Sequence, residues 1–299
     1  MSDPNLLPLL KKLVEKVVAP YAKMPQTRAI LSIGSVSYGI VDESSDIDIA
    51  LYYDELPSDE QLHQAMVQNG AEKLNWQLGS RAECGLIDSY MVFGVECQFA
   101  HTTLAAMDHD MDSILVNLEV DNPFQKALSG VMAGVTIMGD DLIQQYKLRA
   151  SNYPDALQTA MVNRFMNFQP LWAIEGRMSV RDAELWRMQA LVEGSYNLLG
   201  VLAGLNKLYY SSFQFKRMHA FIDQMQWKPQ DLSNRITNIF SGHPNASQEF
   251  RSLVAETVAL VEQQMPTIDT TIVHARLNRE VHRWNPQTLS EGPKSTWHA

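Results

Sequence analysis

The sequence predicts an α+β protein: a small mixed β-sheet domain with flanking helices, followed by an all-α helical domain. Apolar stretches with a period of two lie in the first half, and helical spacing dominates from about residue 103. Gly, Asn and Pro residues interrupt the stretch "GVTIMGDDLIQQYKLRASNYPD". Charge also changes there, because residues 1–141 carry 8 Lys/Arg against 21 Asp/Glu and the remainder carries 16 against 13. We therefore predict domains at 1–141 and 142–299.

Before the helical spacing that begins at about residue 103, the first domain is predicted to contain two helices and four strands. A short strand at 28–35 breaks at Gly34, and a strictly alternating strand follows at 46–53. Gly70 closes a helix that lies within 56–70. The remaining elements are a first helix at about 4–20 and strands near 75–80 and 95–102.

The second domain is predicted to be helical throughout, because its apolar residues recur at helical spacing and it contains no internal repeat. A mostly polar tail follows the last helix. The predicted helices lie at about 154–176, 181–205, 212–225, 229–241 and 246–264.

Composition limits the classes of function. The net charge of −10 argues against a general nucleic-acid binder, which needs a basic surface to meet phosphates. No apolar run approaches the roughly 18 to 20 residues of a membrane span. The N-terminus lacks the features of a signal peptide, and Cys84 and Cys97 form no CxxC pair. We expect a cytoplasmic protein without a membrane or stable nucleic-acid partner, and its oligomeric state stays open.

The candidate chemistry centres on two acids in "SSDIDIALYY". Residues two apart on a strand share a face, so Asp46 and Asp48 project in one direction. Carboxylates this close repel unless a cation lies between them, and Mg²⁺ favours a few carboxylates together with substrate phosphates. Glu96 in "GVECQF" is the best-placed third acid, and Asp88 is the alternative.

A glycine-serine turn precedes the acids. Gly34 and Ser35 lie where a strand is expected to pass into a short helix, and backbone N–H groups and a hydroxyl can hold phosphate oxygens there. Ser37 is either a second phosphate contact or a helix cap. The alternative for the acid pair is an ordinary solvent-facing edge strand, and Asp42 and Glu43 are interpreted as loop charge.

Ile33-Gly34-Ser35, ten intervening residues, Asp46-Ile47-Asp48-Ile49 and later Val95-Glu96-Cys97 together resemble the signature of the polymerase-β-type nucleotidyltransferase superfamily. The chain is most similar to its members with a minimal transferase domain and an α-helical C-terminal domain. These include antibiotic nucleotidyltransferases and uncharacterised bacterial relatives. The resemblance covers about residues 28–102, with a further likeness in "LAGLNKLYYSSFQFKRM".

The resemblance implies a mechanism. Two Mg²⁺ ions held by Asp46, Asp48 and Glu96 would assist attack of an acceptor hydroxyl on the α-phosphate of ATP or another NTP, with release of pyrophosphate. A small hydroxylated acceptor is expected, and the acidic first half suits a cationic one such as an aminoglycoside. The alternatives are transfer of AMP to a protein hydroxyl, as in toxin–antitoxin relatives, and a catalytically silent nucleotide-binding regulator.

Cations for the triphosphate are expected from the second half of the chain. Lys216 and Arg217, near the start of a predicted helix, are the candidate phosphate contacts, and Arg187 is a weaker one. Glu193 is a candidate general base, with a buried, hydrogen-bonded glutamate as the alternative.

Overall fold

A computed structural model describes residues 6–82, 85–178, 180–242, 245–279 and 287. It confirms the predicted fold class, a six-stranded mixed sheet with flanking helices followed by a helical region. The chain forms two compact units, one of residues 1–160 with 207–213 and one of residues 161–206 with 214–299. The predicted first domain, 1–141, falls inside the chain range of the first unit.

The sheet of the first unit has the strand order β3-β4-β5-β2-β1-β6. Only β2 and β5 pair in parallel, and all other neighbours are antiparallel. The four predicted strands are confirmed, whereas β4 and β6 are additional to the prediction. The strands are β1 (Thr27–Ile33), β2 (Ile47–Tyr53), β3 (Trp76–Ser80), β4 (Gly85–Val92), β5 (Val95–Thr103) and β6 (Val135–Met138).

Helices of the first unit cover the sheet. The predicted start of the first helix, residue 4, lies outside the described residues. Ser58 begins α3 with a capping box, because its side chain accepts from Gln61 N while Gln61 caps the Ser58 N–H. The helices are α1 (Leu6–Ala22), α2 (Gly34–Tyr38), α3 (Asp59–Gln68), α4 (Leu104–Leu115), α5 (Gln125–Ala133), α6 (Asp140–Ser151) and α7 (Asp155–Phe165), whose last residues belong to the second unit.

A large part of the core of the first unit lies on one face of the sheet, while Ala50 and Tyr52 of β2 are buried on the other face. Ile47, Ile49 and Leu51 of β2 pack there with Cys97 and Phe99 of β5, and α1 and α3 supply the opposing apolar side chains. Each fully buried side chain of this size contributes about 1.5–3 kcal/mol through removal of apolar surface from water. This burial fixes which face of β2 is turned inward, so the intervening residues of the strand project from the other face.

The second unit is helical, and its longest helix packs through glycines. An ideal Cβ at Gly200 would lie 2.4 Å from Phe165 Cγ, and one at Gly194 would lie 2.3 Å from Phe250 Cζ. These rings therefore contact helix backbone directly. The elements are α8 (Leu171–Ala173), a π-helical turn (Ile174–Met178), α9 (Glu184–Leu205), a 3₁₀ helix that crosses the unit boundary (Ser212–Arg217), α10 (Met218–Asp223), α11 (Leu232–Phe240), α12 (Ala246–Gln264) and α13 (Thr271–Asn278).

Two predicted helices of the second half were wrong in their extent. The predicted helix at 212–225 is a 3₁₀ helix, Ser212–Arg217, followed by α10, Met218–Asp223. The predicted helix at 154–176 is interrupted between Phe165 and Leu171. Pro170 explains the interruption, since proline lacks a backbone N–H and disfavours helical backbone in the residue before it. Within the described part of the chain, no helix combines the length and apolar character that crossing a bilayer requires.

Candidate functional site

Strand register places the candidate acids on one face of the sheet. Asp48 lies opposite Ile33 of β1 and opposite Gln98 of β5. Residues opposite each other share a face, and residues two apart along a strand do so as well. Asp46, Asp48, Glu96 and Gln98 therefore project from the same face, which we call the acid face, opposite to the apolar core.

Gly34 and Asp48 occupy adjoining space on the acid face. Gly34 follows β1 with a φ of +68°, a conformation that side chains with a Cβ rarely adopt. An ideal Cβ at Gly34 would lie 2.0 Å from Asp48 Oδ2 and 2.9 Å from Asp48 Cγ. The Asp48 carboxylate thus fills the volume that any other residue at position 34 would need. The turn and the acid are one packed unit.

The loop between α2 and β2 is closed by its own polar groups. Asp42 Oδ1 accepts from the backbone N–H of Ser44 at 3.0 Å, which gives this acid a structural part in the turn. The Ser37 hydroxyl donates to Gly34 O at 2.8 Å, and Ser35 Oγ lies 3.5 Å from Asp46 O. Ser37 therefore stabilises the turn after Gly34, while phosphate contacts by Gly34, Ser35 and Ser37 stay predictions.

Hydrogen bonds from three of the described side chains orient two of the acids, Asp46 and Glu96. Gln98 Nε2 donates to Asp46 Oδ2 at 2.9 Å. Trp76 Nε1 donates to Glu96 Oε1 at 2.8 Å, and Ser89 Oγ donates to the same oxygen at 2.5 Å. All five side chains are on the acid face, because Trp76, Ser89 and Gln98 lie opposite one another across β3, β4 and β5.

The donor set on the acid face suits a hard cation. The described residues contain no group of three His, Cys, Asp or Glu side chains already arranged to hold a metal ion. Mg²⁺ is usually bound by only one or two carboxylates, with water and substrate phosphates completing its shell. The half-buried carboxylates of Asp46 and Asp48 fit that requirement, and Glu96 as a third ligand stays a prediction.

Asp88, the alternative third acid, lies on the opposite face of the sheet, because it faces Phe99 of the core in the β4–β5 register. It is 3% exposed, accepts from Gln77 Nε2 at 2.7 Å and lies 3.5 Å from His101 Nε2. Burial opposes its ionisation, but interactions with His101 and Gln77 outweigh burial and lower the pKa of Asp88 below its ordinary value. Asp88 therefore belongs to the buried polar network beneath the acid face.

Cys97 directly follows Glu96 in the sequence but points into the core. Burial, and then the negative charges of Glu96 and Asp46, raise the pKa of its thiol to about 12. A thiol with this pKa carries almost no thiolate near neutral pH. Cys97 is therefore a core residue.

The candidate cations lie in the second unit. Lys216 and Arg217 end the 3₁₀ helix Ser212–Arg217, and both side chains are exposed. Arg187 forms an ion pair with Glu184 at 2.5 Å, and Glu193 accepts from Gln189 Nε2 at 2.8 Å. Participation of these residues in a site with Asp46 and Asp48 stays a prediction.

Sequence reasoning missed the three donors to the acids. The position of Gln98 could have been predicted from the sequence, because Gln98 lies two residues after Glu96 and an alternating strand puts both side chains on one face. Trp76 and Ser89 carried no such signal. Their approach to Glu96 depends on the pairing of β3, β4 and β5, which joins residues distant in the chain.

Comparisons with known proteins give a distant structural likeness. No protein-family model matches the chain, and no curated protein matches it. Among solved structures, the chain is similar to a nucleotidyltransferase-like protein from Exiguobacterium sibiricum, with a TM-score of 0.38 and 11% identity over 94% of this chain and 84% of that chain. Since an overall likeness of this kind does not specify a function, the proposals below depend on the residues of this chain.

Proposed function

We propose that the protein is a Mg²⁺-dependent nucleotidyltransferase that moves an NMP, with AMP as the first choice, from an NTP to a hydroxyl of a small molecule. The packing of Gly34 against the Asp48 carboxylate carries the proposal. It joins the two parts of the motif, the glycine-serine turn and the acid pair, on one face of the sheet. A plain solvent-facing strand would not need a glycine whose missing side chain is replaced by a carboxylate.

Asp46 and Asp48 hold the cations in this proposal, and Glu96 joins them from β5. When bound, two Mg²⁺ ions supply charge neutralisation at the triphosphate and at the acceptor oxygen. The acceptor oxygen forms a bond to the α-phosphorus, the bond from that phosphorus to pyrophosphate breaks, and the hydroxyl proton passes to a base. The residues of the acid face contribute position and charge, which supply most of the catalysis in phosphoryl transfer.

The acceptor is proposed from charge. Residues 1–141 carry 13 more acidic than basic side chains, so a cationic, aminoglycoside-like acceptor would be attracted to this part of the chain. Lys216 and Arg217 are the proposed partners of the triphosphate. Transfer to a protein hydroxyl and nucleotide binding without turnover are the two other outcomes that the experiments below separate.

Calorimetry with Mg²⁺ and each NTP tests nucleotide binding. The wild type should bind an NTP only when Mg²⁺ is present, and Asp48→Asn should lose that binding because the substitution removes a charged ligand without changing its size. Glu43→Gln is the matched control, since this exposed loop acid carries the same charge and should leave binding intact. Failure of the wild type to bind any NTP would refute the transferase proposal.

Turnover is tested by pyrophosphate release against a library of hydroxylated acceptors. Release that depends on a small cationic acceptor supports the proposed substrate class. Transfer of a labelled nucleotide to a protein would favour the protein-modifying alternative. Mg²⁺-dependent NTP binding without release against any acceptor would favour a silent regulator.

A further inference from the structure

We propose that Trp76 and Ser89 are positioning residues that orient Glu96 for metal binding on the acid face, and so set the Mg²⁺ concentration at which nucleotide binds. This inference rests on the proposed function. It assigns to β3 and β4 a part in the site, although neither strand carries a residue of the motif.

Both donors reach the same oxygen of Glu96. Trp76 Nε1 lies 2.8 Å and Ser89 Oγ 2.5 Å from Glu96 Oε1. Ser89 is fully buried, and Trp76 and Glu96 are both half-buried. Shielding from water strengthens hydrogen bonds to a charged acceptor. Glu96 is thus held from two directions, although glutamate has a long and flexible side chain.

The chemistry of the two donors suits a carboxylate acceptor. An indole N–H can only donate, so the oxygen facing Trp76 must be an acceptor. Two donors on one oxygen fix the direction in which the carboxylate points. Neither donor is a cation, so neither competes with Mg²⁺ through its own charge. The pair can therefore orient Glu96 while leaving the carboxylate attractive to a divalent ion.

Asp46 has a different arrangement. Its Oδ2 accepts from the amide of Gln98 at 2.9 Å. Gln98 lies on β5 two residues from Glu96, so the same strand carries the third acid and the amide that holds the first. A single neutral amide can be replaced by a cation at this oxygen, whereas Glu96 keeps two donors on one oxygen. The two acids therefore differ in how firmly they are oriented.

The experiment measures the Mg²⁺ midpoint for ATP binding by the full chain. Trp76→Phe keeps an aromatic ring and removes the N–H, and Ser89→Ala removes the hydroxyl. Each should raise the Mg²⁺ midpoint about 10-fold, the effect typical of residues that orient a metal ligand. Gln77→Ala is the matched control, because Gln77 neighbours Trp76 on β3 but donates to Asp88 on the other face. It should leave the midpoint unchanged.

A role through Glu96 has a further readout. In a Glu96→Gln background, Trp76→Phe and Ser89→Ala should no longer move the midpoint, because the charge they orient is gone. The chain has six tryptophans, and the NMR signal of the Trp76 indole N–H is identified as the one that disappears in Trp76→Phe. This signal should shift when Mg²⁺ and ATP are added to the wild type, and it should not shift in Asp48→Asn. Thermal unfolding shows whether each variant is folded. If Trp76→Phe does not fold, Ser89→Ala by itself tests the inference.

The outcomes separate the two proposals. Wild-type NTP binding that does not depend on Mg²⁺, or binding of no NTP at all, refutes the proposed function and this inference with it. If another NTP binds in place of ATP, the Mg²⁺ midpoint is measured with that NTP. Mg²⁺-dependent binding with an unchanged midpoint in Trp76→Phe and Ser89→Ala overturns this inference alone. Equal effects of these variants in the presence and absence of the Glu96 charge would assign them a purely structural role.

Discussion

The contact between Gly34 and Asp48 is tested by Gly34→Ala. Alanine at a φ of +68° incurs about 1–2 kcal/mol of backbone strain. Its Cβ would also lie 2.0 Å from Asp48 Oδ2, so the carboxylate must leave its rotamer, which adds about 0.5–1.5 kcal/mol. The expected loss of unfolding free energy is about 1.5–3.5 kcal/mol, or roughly 3–14 °C in Tm for a unit of this size.

Gly94→Ala is the matched control for this substitution. Gly94 has a φ of +82° in the turn between β4 and β5, and nothing lies within 4 Å of its ideal Cβ. Alanine there incurs the backbone strain of about 1–2 kcal/mol without displacing a carboxylate. Mg²⁺-dependent NTP binding should weaken at least about 10-fold in Gly34→Ala and stay unchanged in Gly94→Ala. The magnitude follows because loss of a residue that only orients a metal ligand weakens binding about 10-fold, and Gly34→Ala displaces a proposed ligand itself.

A double-mutant cycle with Asp48→Ala isolates the contact. Removal of the carboxylate deletes Oδ2 and Cγ and leaves Asp48 Cβ at 3.2 Å from the new methyl group, so the cost of Gly34→Ala should fall by about 0.5–1.5 kcal/mol in this background. Chemical denaturation of the four proteins measures the coupling. Additive free energies, together with equal destabilisation by Gly34→Ala and Gly94→Ala, would refute the steric reasoning.

Other substitutions test the remaining structure. Gly200→Ala should destabilise the protein by about 1–3 kcal/mol in thermal unfolding, because its methyl group would overlap the buried ring of Phe165; an unchanged Tm would contradict this packing. Because the pKa of Asp88 is lower in the folded protein than its value of about 3.8 in the unfolded chain, the ionised carboxylate stabilises the fold at pH values above 3.8. This stabilisation is lost as the pH falls through the pKa of the folded state. Acid unfolding of Asp88→Asn should therefore depend less on pH below about 4 than that of the wild type, and parallel curves would argue against the network. Cys97, with a thiol pKa of about 12, should resist alkylation at pH 8 until the protein is unfolded, as peptide mass spectrometry can show.

Local patterns in the sequence predicted much of the first unit. The alternation Asp46-Ile47-Asp48-Ile49 indicated a strand, which β2 confirms. Ile47 and Ile49 lie in the core as expected, but Ala50 and Tyr52 are buried as well, so both faces of the second half of β2 are covered. A period of two is a property of a single strand, so it can be recognised without knowledge of neighbouring strands. The strand β4 lacks that clarity in the sequence, because the polar Asp88 is buried on its core face while the apolar Ile87 and Met91 are exposed on the other face.

Helix boundaries in the second half show a limit of periodicity. Helical spacing of apolar residues continues across Pro170 in the sequence. The predicted helix therefore included a segment in which the observed helix is interrupted. Proline was visible in the sequence, but its backbone effect competes with a periodic signal that spans many more residues. In α9, by contrast, sustained apolar spacing and the long run of helix formers placed the helix within three residues of its observed start, and its observed end at Leu205 matches the prediction.

The sequence by itself determined the residue types of the candidate site and the face from which Asp46 and Asp48 project, because strand alternation and the glycine-serine turn are local properties of the chain. Tertiary structure decided which further acid lies on the same face as Asp46 and Asp48. The parallel pairing of β2 with β5 puts Glu96 on the acid face, and the antiparallel pairing of β4 with β5 turns Asp88 to the other side. It also brought Trp76 and Ser89 to Glu96. The pairing of strands depends on how segments far apart in the chain pack against one another. The local sequence around each residue does not reveal that packing.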